Sequence, residues 1–278
     1  MIQDIYPNRF DNHYLPGQPI GEKDIILYYN DNTLLLKTDG DECELPRKRD
    51  LPELSGNTEA TFLFTLNDVS CFLVWNRPVA EQSSFTYKEI SFFRTASKKE
   101  VAWVSIVGYH LHNWYAEHRF CGKCGAKMEH KPDERAMMCP ECHALFFPKI
   151  SPAIIVAITC GDKILLARNN NFRAGWHSLV AGYADVGETL EETVIREVKE
   201  EVGLDVKNIR YYKSQPWPLS GSLMVGFTAE ADDRQPITID HNEIASAGWF
   251  TRDNLPDHPS GVSIGGEMID KFEKGELH

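Results

Sequence analysis

Three observations along the 278 residues predict an α+β chain of several domains. The first hundred or so residues alternate short apolar runs with Gly, Pro, Asn and Asp turn signals, the pattern of a β-rich N-terminal domain. Two Cys-x2-Cys pairs then follow, Cys121/Cys124 and Cys139/Cys142, in the spacing of a zinc ribbon. Beyond them, strand-like runs and an amphipathic helix interleave, which predicts a C-terminal α/β/α sandwich on a mixed sheet. The expected division is residues 1–105 for the β-rich domain, 106–149 for a linker helix and the ribbon, and 150–278 for the sandwich.

In the first domain the strand-like runs are Ile25 to Tyr29, Thr33 to Leu36 and Cys71 to Trp75. No chemical constellation stands out there, and the basic run Arg47-Lys48-Arg49 reads as a solvated loop. Residues 101–117 have helical character; His110 and His112, one residue apart, do not share a helix face and are read as non-ligands. Composition sets the wider frame. With 42% hydrophobic and 25% charged residues this is the profile of a soluble globular protein, and no apolar run approaches the ~20 residues of a membrane span. Met1-Ile2-Gln3-Asp4 lacks the basic start and apolar stretch of a secretion signal, so a cytoplasmic location is expected. A net charge of −12 argues against a tight, nonspecific grip on long nucleic acid, yet leaves open action on an RNA end whose phosphates a cation screens.

The four clustered cysteines form two knuckles with fourteen residues between Cys124 and Cys139. Four thiolates close a tetrahedral Zn²⁺ site with no open position for water, so this ion, one per chain, is structural. An iron–sulfur cluster, a redox pair or two disulfides are the competing readings. Lys123, Lys127 and Lys131 are candidates for nucleic-acid contact, although a staple between domains suffices to explain the ribbon. Cys43, Cys71 and Cys160 sit in apolar stretches and read as core residues.

In the third part, Ala153 to Cys160 and Lys163 to Arg168 form a hairpin across Gly161-Asp162, and Trp176 to Gly182 is a further strand. A helix from about Leu190 puts Leu190, Val194, Val198 and Val202 on one stripe, with Thr189 as N-cap and Gly203 as left-handed C-cap. Strands near 206–213, 223–231 and 247–250 and a last helix near 267–274 complete the sandwich. The catalytic clue lies on the first of these helices. Glu197, Glu200 and Glu201 stand at i, i+3 and i+4, so their carboxylates converge on one edge. A hard divalent cation relieves the repulsion; an exposed acidic face is the bland alternative.

Residues 182–204 match Gly-x5-Glu-x7-Arg-Glu-U-x-Glu-Glu-x-Gly-U (U aliphatic) at every fixed position, from Gly182 and Glu188 through Arg196 to Gly203. This stretch resembles the signature of the Nudix hydrolase superfamily. Ten residues later, Ser214-Gln215-Pro216-Trp217-Pro218-Leu219-Ser220-Gly221-Ser222-Leu223-Met224 is similar to the array that marks its NADH pyrophosphatases. That family implies hydrolysis of NADH or NAD⁺ to nicotinamide mononucleotide and AMP, removal of NAD caps from RNA 5′ ends, Mg²⁺ or Mn²⁺ at the catalytic site, and a homodimer. It implies metal ligation by Glu197, Glu201 and the later Glu243, with Glu200 a further ligand or the group that handles the attacking water. Arg196 is implied to be structural, pairing with Glu188. Tyr183, Phe147, Gln215, Trp217, Ser222 and Gly265 are implied around the substrate, Tyr183 stacking on the nicotinamide ring and Phe147 closing over it from a neighbouring subunit.

Three departures bear on substrate choice. Leu219-Ser220 replaces Phe-Pro, Phe147-Pro148-Lys149 replaces Tyr-Pro-Arg, and Gly265 stands where the family has alanine. They give weight to an alternative within the same reaction class, acting on ADP-ribose, dinucleoside polyphosphates or nucleoside triphosphates. A non-catalytic nucleotide- or RNA-binding adaptor is a third reading; against it, every box glutamate is present.

Overall fold

The computed structural model describes residues 1–39, 42–54, 59–75, 84–171 and 175–277, and the chain divides into two compact units. One contains residues 2–149 with Pro218–Ser220; the other contains 150–217 and 221–278 together with Met1. No helix among the described residues is long and apolar enough to cross a membrane.

The N-terminal unit is built on two four-stranded sheets. In the first, Phe10–Asp11, Ala60–Leu66, Val69–Val74 and Ile25–Leu27 lie side by side, the last two parallel. In the second, Thr33–Asp39 pairs with Tyr29–Asn30, Glu42–Glu44 and Phe85–Glu89. Leu34, Leu35 and Leu36 are all buried, so this strand is apolar on both faces and reads as a run instead of alternating. Helix α1, Lys99–Glu117, leads into the ribbon, whose three short strands are Glu129–His130, Met137–Met138 and Leu145–Phe146. The ribbon belongs to this unit. Its Arg135 donates to the carbonyls of Leu63 and Asn12, and the guanidinium covers the Tyr14 ring at 5.5 Å.

One expectation needs adjustment here. Cys71 is buried, but Cys43 and Cys160 are only half-buried, because each sits near a strand end. His110 and His112 have local partners: His110 Nε2 meets the Lys149 carbonyl at 2.9 Å, and His112 stacks on Trp75.

The C-terminal unit is an α/β/α sandwich. Its mixed sheet runs Lys207–Trp217, Ser222–Glu230, Ser151–Cys160, Lys163–Asn169 and Ile244–Thr251, with Val180–Tyr183 paired on the first half of the central strand. Alternation along the central strand sorts the two faces. Ile154, Val156 and Ile158 pack with Val194, Val198 and Val202 of α2, Leu190–Val202. Ile155 and Ala157 pack with Ile264, Met268 and Phe272 of α3, Ile264–Glu273.

Several boundaries move: the strand expected over Trp176 to Gly182 is Val180–Tyr183, and the one near 247–250 is Ile244–Thr251. The strand expected near 206–213 continues through Gln215-Pro216-Trp217, pairing with Ser222–Met224. It is an edge strand, where a proline lacking an N–H is tolerated. Helix α3 begins earlier than residue 267, because the Ser263 hydroxyl caps the Gly266 N–H.

Candidate active site

The sequence of α2 specifies its own position. Thr189 and Glu192 form a reciprocal capping box, and Gly203 closes the helix at φ +75°. A side chain at Gly203 would also meet Thr238, at 3.0 Å. That contact matters because residues 238–240 run along the end of the helix, Thr238 N bonding Val202 O and Asp240 N bonding Glu201 O.

Gly182 performs the equivalent service at the strand. A Cβ built there would lie 2.1 Å from the Glu197 carboxyl carbon, so the carboxylate rests directly against the Gly182 backbone. Only glycine leaves that space.

Arg196 organises the acidic groups. Its fork grips Glu188 through Nε at 2.5 Å and Nη2 at 2.9 Å. Nη2 also donates to Tyr183 O at 2.9 Å, while Nη1 bridges Glu197 at 2.7 Å and Glu200 at 3.0 Å. Glu188 additionally accepts from Asp185 N and the Thr193 hydroxyl. Hydrogen bonds from Arg196, then from Asp185 N–H, hold the Glu188 carboxyl down at about 2.

The remaining carboxyls are pushed the other way. Glu201 is 8% exposed, and burial, followed by Glu197, Glu243, Asp240 and Glu200, raises its carboxyl to about 8. Burial raises Glu197 as well, with Arg196 opposing and Glu200 and Glu243 adding to it. Glu200, by contrast, has a side chain that is 59% exposed. Oxygen donors crowded around a desolvated carboxyl are the donor set a hard divalent cation prefers, so these residues fit such an ion.

Tyr183 and Ser222, expected around the substrate, lie on the other face of the sheet. Tyr183 shares the face of Ala181, and Ser222 that of Met224, both of which pack on the α3 side. The Tyr183 and Ser222 hydroxyls are 3.1 Å apart, the tyrosine half-exposed and the serine buried. Gln215 is fully buried, its amide nitrogen bonding Val262 O at 3.2 Å and its oxygen accepting from Ile264 N at 2.7 Å. These two bonds tie its amide to the backbone of the 262–264 segment. Trp217 is half-buried. Gly265 packs so closely that a Cβ would meet Ile155 Cδ1 at 2.6 Å, and one at Gly266 would overlap the Pro259 carbonyl. Phe147 is an exposed residue of the N-terminal unit. A cavity of about 640 Å³ in the C-terminal unit involves Cys160, Lys207 and Asp232, and none of the candidate residues lines it.

The ribbon's sulfurs are already gathered. All four lie within 4.8 Å of one another, Cys121 and Cys142 at 3.6 Å, Cys124 and Cys139 at 3.5 Å. Four thiolates about 2.3 Å from one ion sit about 3.8 Å apart at the corners of a tetrahedron, so this set fits Zn²⁺. The knuckles repeat each other. Gly125 and His143 both take positive φ, and their N–H groups return to the Cys121 and Cys139 carbonyls. The Lys123 N–H holds the Cys121 thiol down to about 7 and the Cys142 N–H lowers Cys139, whereas Cys124, lowered by the Ala126 N–H but raised by the Cys139 and Cys142 thiols, is pushed up to about 12.

Comparison with known proteins agrees with this arrangement. A NUDIX domain model matches residues 149–272, an NADH pyrophosphatase zinc ribbon domain matches 116–147, and an NADH pyrophosphatase-like rudimentary NUDIX domain matches 23–114. Residues 149–272 form a Nudix domain. The NAD-capped RNA hydrolase NudC of Citrobacter koseri is 46% identical over 163 residues, 59% of this chain and 63% of that protein. The protein of the same name from Pseudomonas fluorescens is 45% identical over 169 residues, covering 60% and 61%. The match thus spans under two thirds of the length of these curated relatives.

Within this Nudix unit, sequence reading passed over two residues that hold Glu243. Asn170 Nδ2 donates to the carbonyls of His241 and Asn242, and Asn170 N donates to Glu243 O at 2.8 Å. Asp240 accepts from Asn242 through its carboxylate and from Glu243 N through its carbonyl. Asp240-x-Asn242 carries a turn signal that could have been found; Asn170 lies too far away in sequence.

Proposed function

We propose that this chain hydrolyses the pyrophosphate bond of NADH and NAD⁺, giving nicotinamide mononucleotide and AMP, and that it also removes NAD caps from RNA 5′ ends. The observation that carries the chemistry is Glu201, desolvated beside Glu197, Glu243, Asp240 and Glu200, its carboxyl raised to about 8. The substrate assignment rests on likeness to proteins named NAD-capped RNA hydrolase.

Glu197, Glu201 and Glu243 would hold the cation, Mg²⁺ or Mn²⁺. When bound, such an ion neutralises pyrophosphate charge and acidifies a water. Glu200, the most exposed of the box glutamates, accepts the attacking water's proton. Arg196 keeps Glu197 and Glu200 in place while Glu188 keeps Arg196 in place. On the opposite sheet face, Tyr183, with Ser222 fixing its hydroxyl, offers a ring to the nicotinamide; Trp217 and Gly265 line the pocket, Gln215 orders its floor, and Phe147 closes over it from the neighbouring subunit of the homodimer. The three-part division at 105/106 and 149/150, a homodimer and a cytoplasmic setting belong to the same reading, as does one structural Zn²⁺ in each ribbon.

The test is chromatographic separation of products from NADH, NAD⁺, ADP-ribose and NAD-capped RNA with Mg²⁺ or Mn²⁺. Nicotinamide mononucleotide with AMP, released fastest from the nicotinamide substrates, supports the reading. Cleavage of ADP-ribose at an equal or greater rate removes the nicotinamide pocket and leaves the metal site standing. No product from any of the four refutes the hydrolase.

A further inference from the structure

The N-terminal unit contains a cleft that the reaction above does not use. Its volume is about 360 Å³, within the roughly 300–1,000 Å³ of small-ligand sites, and Trp75, His112, Tyr115, His130, Arg119 and Lys127 line it. Trp75 and His112 are stacked, with centroids 5.3 Å apart and planes at 21°. Tyr115 and His130 form a second aromatic pair at 5.0 Å. The tyrosine is 3% exposed, yet its hydroxyl finds no hydrogen-bond partner among the described residues. Buried polar groups without partners are rare and call for an explanation. Burial lowers both histidines, so at neutral pH their rings are uncharged planar surfaces.

The cations are placed by the ribbon. Arg119 and Lys127 stand across a short antiparallel hairpin, with Phe120 bridged to Lys127 and Met128 N bonded to Arg119 O at 3.0 Å. The same hairpin is closed by Cys121 N on Ala126 O, inside the first cysteine knuckle. Among the described residues neither side chain forms an ion pair and Glu59 is the only acid lining the cleft, beside which both cations are exposed. Aromatic faces beside two free cations suit a planar ring attached to a phosphate.

We propose that this cleft binds one nucleotide unit, its base against the Trp75–His112 and Tyr115–His130 rings and its phosphate against Arg119 and Lys127. The ligand is a free mononucleotide or one residue of a single-stranded RNA; the chemistry is common to both. On this account the ribbon presents the phosphate-binding pair in addition to bracing the unit. The cleft is built from residues of the N-terminal unit, and the proposal does not depend on the substrate proposed for the α2 carboxylates.

The experiment is fluorescence anisotropy of a labelled, uncapped eight-nucleotide single-stranded RNA on the zinc-loaded full chain, without added Mg²⁺ or Mn²⁺. AMP serves as unlabelled competitor, and NADH turnover is measured in parallel. Arg119→Ala with Lys127→Ala, both surface changes, is expected to weaken RNA binding at least tenfold. The slope of log affinity against log salt should flatten by about 1.4, the release expected for two phosphate contacts on a single strand. Trp75→Ala should weaken binding roughly fivefold to a hundredfold and Trp75→Phe far less, as loss and retention of a stacking face predict. Displacement by AMP at micromolar to millimolar concentration identifies a mononucleotide site; RNA binding without displacement identifies a strand site. Unchanged affinity and salt slope in the doubly substituted protein, or no binding of either probe, overturns the proposal. So does an equal loss of NADH turnover in that variant, since the cleft would then be part of the catalytic pocket.

Discussion

Replacing Gly182 with alanine tests the geometry of the site more sharply than removing a glutamate. The added methyl would sit 2.1 Å from the Glu197 carboxyl carbon and 2.2 Å from its Oε1, whereas real Cβ contacts essentially never fall below 3.0 Å. The carboxylate must therefore retreat by about 1 Å, and such misplacement near a reaction centre costs roughly a hundredfold in rate. The fold should survive. Gly182 does not take a positive φ, its obstacle is the far end of a flexible side chain, and the Arg196–Glu188 clamp does not depend on it. The expected outcome is a fall of about a hundredfold in kcat/KM for NADH at saturating Mn²⁺, with a melting temperature within a few degrees of the parent. A variant that keeps activity within threefold would refute the argument, because Glu197 could then stand elsewhere without consequence. A collapse of the melting temperature would refute it in another way, by placing Gly182 among the determinants of the fold.

Three further outcomes follow from the charges and thiols. Glu201→Gln should reduce turnover by several orders of magnitude and leave the fold intact; near-parental activity would end the assignment. Because the folded Glu201 carboxyl is raised from 4.5 to about 8, it binds protons that the unfolded chain releases, so metal-free stability should fall as pH rises from about 4.5 to about 8. Glu201→Gln should flatten that slope in urea melts at several pH values. Glu188 has the opposite sign: lowered to about 2, its contribution is complete above pH 4.5 and is lost as the pH falls towards 2. Glu188→Gln should accordingly lower the melting temperature at pH 7 and have little effect near pH 2. Finally, atomic absorption should find one zinc per chain, and Cys139→Ser should abolish it and expose the N-terminal unit to proteolysis, since the ribbon's Arg135 is bonded to the carbonyl of Leu63.

What could be read from the sequence was whatever is specified within a few residues. The capping box, the valine stripe and the left-handed Gly203 of α2 are all local, and all are present in the folded unit. The four cysteines could be read for the same reason, since each knuckle is closed by its own turn. Tertiary pairing hides the rest. Pro216 marks a turn when seen alone, but the edge of a sheet accepts it, so the strand runs on to Trp217. The box glycine announces a tight place without saying what fills it; only the fold shows the Glu197 carboxylate there. Asn170 carries no local signal for its role, because its partners lie some seventy residues ahead. Gln215 resembles a pocket residue in the motif, whereas its amide is bonded to the backbone entering α3.

These contacts also explain why the box needs an arginine and not merely a positive charge. A lysine could neutralise one carboxylate, but Arg196 has to meet Glu188 through two nitrogens, reach the Tyr183 carbonyl, and still touch Glu197 and Glu200. Only a rigid fork with five donors supplies those directions together. Glu188, deeply acidic because of that fork, anchors the far side, so Arg196 acts as a fixed strut for the α2 acids. Arg196 pairs with Glu188, Glu197 and Glu200, whereas Glu201, the most buried of the set, has no arginine partner among the described residues. The fold therefore supplies its own counter-charge to the outer acids and none to the innermost one, which is the arrangement the proposed cation site calls for.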